Sequence, residues 1–156
     1  MKLTTRSEYA LLALLYLARQ EERTPVSVAT IAQAQHISRK FLEQILLVLN
    51  RGGYLRSSKG RHGGYRLAKA ASAISLAEVI RMFDGALAPT ESVSKYFYES
   101  TPIERERGLV DIFRDIRDYV SDKLERTTLA DICRATESGR VEGRVGDRHK
   151  ARRGKR

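Results

Sequence analysis

The sequence predicts a mainly α-helical fold that contains one two-stranded β-hairpin and a long helix towards its C-terminal end. Apolar residues recur at helical spacing through much of the first 136 residues. Between residues 55 and 67, two short strand-like runs flank a turn that contains three glycines. Two short predicted helices precede this hairpin, which is the element order of a winged helix-turn-helix.

The first helix is predicted to run from Thr5 to about Arg19. Thr5-Arg6-Ser7-Glu8 has the pattern of a capping box, with Thr5 as the N-cap and Glu8 reaching back to it. The residues that follow are nearly all Leu and Ala, so we expect a central and buried helix.

The second and third helices form the predicted helix-turn-helix. The second is expected from about Ser27 to Ala34, and the third runs from its N-cap Ser38 to Asn50. Apolar residues of the third helix follow i, i+3, i+4, i+7, i+8 spacing and predict one buried stripe. They are Phe41, Leu42, Ile45, Leu46 and Leu49.

Beyond the hairpin, the sequence predicts three further helices. Ser75-Leu76-Ala77-Glu78 is a capping box for a helix that stops at Gly85, and Thr128 caps a final short helix. Between them a long helix is predicted to run from about Ile103 or Arg107 to Glu125, and its subset at 109, 113, 116 and 120 has heptad-like spacing, which predicts dimerisation. The predicted dimerisation residues are Leu109, Ile112, Phe113, Ile116, Val120 and Leu124.

Charge divides the chain into three predicted parts. Residues 1–70, the helix-turn-helix and wing, hold 12 Lys/Arg against 4 Asp/Glu. Residues 71–136, a sensor loop with dimerisation helices, hold 9 against 12. Residues 137–156 hold 8 against 3 and predict a disordered basic tail. The basic first part favours a polyanionic partner.

Composition also argues against several classes of protein. One cysteine, Cys133, rules out a disulfide framework, and no apolar run is long enough to span a membrane. No nucleophilic set, phosphate loop or metal-ligand spacing is visible, so we expect neither an enzyme nor a metal site. The expected location is the cytoplasm, with association to the nucleoid.

The start of the third helix and the wing are the predicted DNA-binding site. We expect Arg39, Lys40, Glu43 and Gln44 to be exposed there, and arginine and glutamine side chains can pair with base edges. Glu43 reads cytosine, rejects other bases or orients a neighbouring cation. The alternative for this helix is an ordinary solvated face.

The wing tip adds cations to this site. Lys59, Arg61 and His62 lie between glycines, so we expect them on a projecting turn that contacts phosphates or enters the minor groove. The alternative is a hairpin turn with solvent-facing cations. At the level of the whole chain, the alternative function is a non-specific or architectural nucleic-acid binder.

These segments together resemble the Rrf2-type family of bacterial winged-helix regulators, which includes iron–sulfur cluster regulators and cysteine-metabolism repressors. The matching stretches are 1–5, 37–38, 41–44, 58–68 and 127–129 within residues 1–134. The resemblance implies a homodimer whose long helix crosses to the partner, and binding to double-stranded DNA at an imperfect palindrome, usually as a repressor. It also adds positions within these stretches to the predicted DNA-binding set: Lys2, Thr4, Ser38, Ser58 and Tyr65.

The resemblance does not extend to a cluster site. Cluster-binding members carry three cysteines before the long helix, whereas residues 86–106 contain no Cys and no His. We therefore expect no iron–sulfur cofactor, and a small molecule, a redox signal or a partner protein as the effector. Cys133 is a redox switch or, as we favour, a small buried hydrophobe. Tyr96-Phe97-Tyr98 either lines an effector pocket or packs the loop against the long helix.

Overall fold

Six α-helices and one β-hairpin make up the part of the chain that the computed structural model describes, residues 1–20 and 24–138. The helices are α1 (Thr5–Ala18), α2 (Val28–Gln35), α3 (Arg39–Arg51), α4 (Leu76–Asp84), α5 (Arg107–Arg126) and α6 (129–138). The strands are β1 (Leu55–Ser58) and β2 (Gly64–Leu67). Short 3₁₀ turns occupy Ala71–Ala73, Glu91–Val93 and Pro102–Arg105. This is the predicted winged helix-turn-helix followed by a long helix.

From residue 139 onwards, the predicted basic tail lies outside the described residues. Among the helices of the described ranges, none combines the length and the apolar character that crossing a membrane requires.

Helix α1 lies at the centre of the core, as the sequence predicts. It packs against α2, α3, α4 and β2. The stripe of α3 is also confirmed, because Leu42, Ile45, Leu46 and Leu49 are completely buried. Phe41 is half-buried, and its ring meets the edge of the Tyr9 ring with 5.7 Å between centroids.

The N-cap of α1 is Thr4 rather than the predicted Thr5. The Thr4 hydroxyl accepts a hydrogen bond from the Ser7 N–H and donates one to Asp84 at the end of α4. Asp84 also accepts from the Thr4 N–H at 3.1 Å and from the Ser7 hydroxyl at 2.5 Å. Glu8 therefore does not complete the cap, since that role falls to a carboxylate 80 residues away along the chain.

The predicted caps at Ser75 and Thr128 are confirmed. Ser75 begins α4 by accepting from the Glu78 N–H at 3.3 Å and donating to the Glu78 carboxylate at 3.2 Å. Thr128 begins α6, where its hydroxyl accepts from the Asp131 N–H and the Asp131 carboxylate accepts from the Thr128 N–H. The hydrogen bonds that the Thr128 N–H and hydroxyl donate to the Asp131 carboxylate, together with one from Arg134, lower the pKa of Asp131 to about 2. Both caps need only local residues, so the sequence pattern suffices to predict them.

The wing is attached to the helix-turn-helix by a third piece of extended chain. The antiparallel hairpin pairs Leu55 with Leu67 and Ser58 with Gly64. On the other edge of β2, Tyr65 and Val26 exchange two main-chain hydrogen bonds of 2.8 Å each. Because Val26 lies directly before α2, this bridge fixes the wing relative to α2 and α3.

Gly64 makes that attachment possible. A Cβ atom at this position would lie 2.1 Å from the Val26 carbonyl oxygen, well inside van der Waals contact. Only a residue without a side chain allows β2 to approach the Val26 backbone this closely.

Candidate nucleic-acid interface

The turn between α2 and α3 leaves the start of α3 open to solvent. His36 ends α2 in the left-handed conformation, with φ at 54°, and Ile37 after it is buried. Ser38 is the N-cap of α3, as predicted, but its exposed side chain makes no capping hydrogen bond. The first N–H groups of α3, with the Ser38 hydroxyl beside them, are therefore oriented towards solvent, which is the arrangement that binds anions such as phosphate.

The predicted reading face of α3 is exposed. Arg39, Lys40, Glu43 and Gln44 all face solvent, opposite the buried stripe. Glu43 accepts a hydrogen bond from the Arg39 Nε at 3.1 Å. This contact is the one that the third of the three predicted roles of Glu43, orienting a neighbouring cation, requires, and all three roles stay predictions. Both partners are largely solvated, so the ion pair is weak and Arg39 can exchange it for a base or a phosphate.

The wing tip projects from the molecule, as the sequence predicts. Ser58, Lys59, Arg61 and His62 are exposed. Gly60 has φ at +103°, a conformation that L side chains rarely adopt. The turn therefore depends on Gly60, and it presents its cations without packing them against other residues.

Two of the predicted DNA-binding residues also have structural roles. Tyr65 is half-buried against the core and bonds to Val26 through its main chain, so it holds the wing in place. The Thr4 side chain is occupied in the cap of α1 with Asp84. Lys2, close to Thr4 in sequence, is exposed.

The apolar stripe of α5 divides into two faces. Leu109, Ile112 and Ile116 are 44%, 56% and 44% exposed, and Tyr119 continues this line at 74%. Phe113, Val120 and Leu124 are half-buried, and Leu124 packs against Ala77, Ile80 and Leu87 of its own chain. The exposed face therefore follows the spacing 109, 112, 116, 119 and not the predicted 109, 113, 116, 120. Sequence reasoning missed Tyr119, although its position continues the a/d pattern.

Within a single chain, the aromatic residues of the loop before α5 neither line an effector pocket nor pack the loop against the long helix. Tyr96, Phe97 and Tyr98 are 69%, 48% and 60% exposed, so they do not pack the loop down. The space beside Tyr96 and Phe97 has a volume of about 10 Å³, room for one water molecule at most. Val93 is buried and anchors the loop instead, while its carbonyl accepts from Arg117 at 2.6 Å.

Cys133 on α6 is half-buried and forms no disulfide. This is less buried than the favoured interpretation as a small core residue expects.

Comparison with known proteins places these features in a family. A profile of the Rrf2 family, described as iron-dependent transcriptional regulators, matches residues 3–135. The chain is 32% identical over 137 residues to the HTH-type transcriptional regulator CymR of Bacillus subtilis, which covers 88% of this chain and 93% of that protein. It is 35% identical over 138 residues to the HTH-type transcriptional regulator IscR of Erwinia tasmaniensis, covering 88% and 81%. The solved structure of B. subtilis CymR, called the global cysteine regulator of that organism, has a TM-score of 0.70 at 30% identity and covers 86% of this chain and 98% of its own.

Proposed function

The chain belongs to the Rrf2 family of transcriptional regulators, and on that basis we propose that it represses transcription as a homodimer bound to an imperfectly palindromic operator. The relatives named above are transcription regulators and not enzymes. One observation carries the DNA-binding part of the proposal. The main-chain bridge between Tyr65 and Val26 fixes the exposed wing tip relative to the exposed start of α3. The groups proposed to read bases and those proposed to bind phosphates are therefore held at a fixed position relative to each other.

The proposed roles of α3 and of the wing tip in binding DNA differ. Arg39, Lys40 and Gln44 on α3 face solvent where a recognition helix meets base edges, so they determine sequence preference. Lys59 and Arg61 at the wing tip contact phosphates or the minor groove and supply affinity with little preference.

The proposed dimer rests on the exposed face of α5. Four large side chains in heptad-like register are left uncovered by their own chain: Leu109, Ile112, Ile116 and Tyr119. A second copy of α5 packed against this face would bury them in the manner of a coiled coil. Two wings and two α3 helices then address the two halves of a palindrome.

The control signal is proposed to be something other than an iron–sulfur cluster. Iron–sulfur clusters are held by thiolates, with histidine as the usual substitute. The sensor loop at residues 86–106 offers neither residue type. Across the described ranges, no three His, Cys, Asp or Glu side chains come together in a way that could hold a metal ion. The residues present therefore do not fit an iron–sulfur cluster, in contrast to the description of the family as iron-dependent.

The first experiment is capture of genomic fragments by the purified full-length chain, followed by sequencing and footprinting of the enriched sites. We expect a palindromic footprint, with affinity much higher than for an unrelated duplex. Equal affinity for both duplexes, with a steep dependence on salt, would instead identify a non-specific binder. Iron and sulfide assays after anaerobic purification test the signal separately, and near-stoichiometric iron would refute the cluster-free reading.

A further inference from the structure

The outer face of the wing carries a pair of arginines outside the interface proposed so far. In the β1–β2 register, Arg56 lies directly opposite Arg66. Side chains alternate between the two faces of a strand, and Leu55 and Leu67 are on the face that packs against the core. Arg56 and Arg66 therefore stand side by side on the opposite face. Alternation along the two strands would have predicted this pair from the sequence.

This arrangement is unfavourable for the hairpin by itself. Like charges directly opposite each other on neighbouring strands destabilise a sheet. Neither arginine forms an ion pair with any residue of the described ranges, in contrast to Lys69, which pairs with Glu78 at 3.7 Å. Between Glu43 and Glu78 the chain has no acidic residue at all. The repulsion between the two guanidinium groups is thus not offset within the hairpin.

The environment of each arginine leaves its charged end accessible. Arg56 is exposed, and Arg66 is half-buried where it borders a cavity of about 180 Å³. The lining mixes apolar residues such as Leu17 and Leu67 with polar ones such as Gln20 and Lys69. The apolar part suits the aliphatic stem of an arginine while its guanidinium group stays in solvent. An external anion can therefore reach both groups from the same side.

We propose that Arg56 and Arg66 together bind one backbone phosphate of duplex DNA, next to the half-site contacted by α3 and the wing tip. This inference rests on the proposed DNA-binding function. Directly opposed Cβ atoms lie about 5 Å apart, so both guanidinium forks can converge on the same phosphate. The contact carries no base preference, and it fixes the angle at which the wing meets the duplex.

Replacing these arginines should change the stability of the protein and its affinity for DNA in different directions. Replacing either arginine removes the like-charge repulsion, so thermal stability without DNA is retained or increased. The same replacement removes a phosphate ligand, so affinity falls on specific and unrelated duplexes alike. A residue with only a structural role would lower the stability along with the affinity.

The test compares Arg56→Gln, Arg66→Gln and the double variant of the full-length chain. Binding to the captured operator and to an unrelated duplex of equal length is followed by fluorescence anisotropy at several salt concentrations. We expect the double variant to bind both duplexes at least about tenfold more weakly, and the slope of log K against log salt to shrink by about 0.9 for each subunit. Arg105→Gln is the matched control, because Arg105 is an exposed cation in the 3₁₀ turn Pro102–Arg105, outside the wing.

Lysine variants separate charge from geometry. Arg56→Lys with Arg66→Lys should keep most of the salt slope while losing part of the affinity, since lysine lacks the planar fork. An unchanged salt slope in the glutamine double variant would overturn the inference, and so would a fall in melting temperature that accounts for the weaker binding. If Arg39→Ala and Lys59→Ala still weaken binding in that case, the proposed function stands. If those variants also bind normally, the proposed function itself fails.

Discussion

In α3 the apolar stripe of Leu42, Ile45, Leu46 and Leu49 is buried within the chain and the charged side chains face solvent, whereas α5 leaves a row of apolar side chains uncovered. The two regions of the chain also differ in how many of their charged side chains form ion pairs. Of those in the described ranges, only Arg39–Glu43 lies wholly within residues 1–70. Residues 71–136 pair their charges internally, for example Arg81 with Glu125 and Lys95 with Asp118. The first region thus offers unpaired positive charge to a polyanion, and the second offers apolar surface to a protein chain.

The largest expected effect comes from placing a charge on the exposed face of α5. Ile116→Asp would bury an unpaired carboxylate between two copies, so we expect the dimer dissociation constant to rise by about two orders of magnitude or more. Since Ile116 is 44% exposed in the single chain, the monomer should remain folded. Analytical ultracentrifugation measures the first effect and circular dichroism the second.

A control variant on the same helix makes this result specific. Arg114 is exposed, pairs with Asp111 and lies off the apolar row, so Arg114→Glu should leave the dimer largely intact. A wild-type chain that sediments as a folded monomer at micromolar concentration would remove the contrast between the two regions. It would leave the apolar row of α5 without a partner.

The second prediction concerns the attachment of the wing. In Gly64→Ala the new Cβ would collide with the Val26 backbone, which cannot move without disturbing the start of α2. We expect a loss of about 2–4 kcal/mol in the free energy of unfolding and weaker DNA binding, because the wing shifts relative to α3.

Gly108→Ala is the matched control for that substitution. Gly108 lies in the first turn of α5, and nothing is within 4 Å of the position where its Cβ would lie. A small gain of about 0.5 kcal/mol from helix propensity is expected there. Equal losses in the two variants would show that the bridge to Val26 does not constrain the wing. Chemical denaturation and operator binding test both variants.

The elements were predictable from sequence where neighbours along the chain determine them. The caps at Ser75 and Thr128 and the buried stripe of α3 depend on residues within two turns, and the predictions for them are confirmed. The cap of α1 was misplaced because Asp84, which completes it, lies in another helix. Tertiary contacts decide such details, and local sequence patterns do not record them.

The same reason explains why the exposed face of α5 differs from the heptad-like subset expected from the sequence. Position 113 and position 112 fit an amphipathic helix equally well, and only the packing of α5 against α4 decides which face is covered. Likewise, the structural role of Tyr65 depends on its bridge to Val26, and no short motif reveals it. The proposed DNA contacts of Arg39, Lys40, Lys59 and Arg61 stay predictions that binding experiments must test.

The third prediction divides the basic region into reading and anchoring parts. Arg39→Ala or Lys40→Ala should weaken operator binding by about 1–3 kcal/mol while changing affinity for an unrelated duplex less. Lys59→Ala or Arg61→Ala should weaken binding to both duplexes more evenly and flatten the salt dependence. Footprinting with affinity measurements distinguishes the two outcomes. Unchanged affinity in all four variants would show that these four exposed cations do not serve DNA binding.

The smallest expected effect lies where the two regions meet, at Asp84. Burial raises the pKa of Asp84, but hydrogen bonds from Ser7 and Thr4 outweigh it and hold the pKa below its ordinary value. The charged form therefore stabilises the fold, at the positive end of the α1 dipole. Asp84→Asn should lower the free energy of unfolding by about 1 kcal/mol at neutral pH.

The pH dependence of that loss identifies its cause. A carboxylate with a depressed pKa contributes its stability above the ordinary carboxyl range, and the contribution disappears as the pH falls through the pKa of the folded state. The difference in melting temperature between wild type and Asp84→Asn should therefore be constant from neutral pH down to about pH 5, and shrink below about pH 4. Glu99→Gln, which neutralises an exposed side chain without an ion pair in the described ranges, should show no such difference. A gap that persists undiminished in acid would mean that Asp84 joins α1 to α4 through shape and neutral hydrogen bonding, and that its charge contributes nothing to the junction.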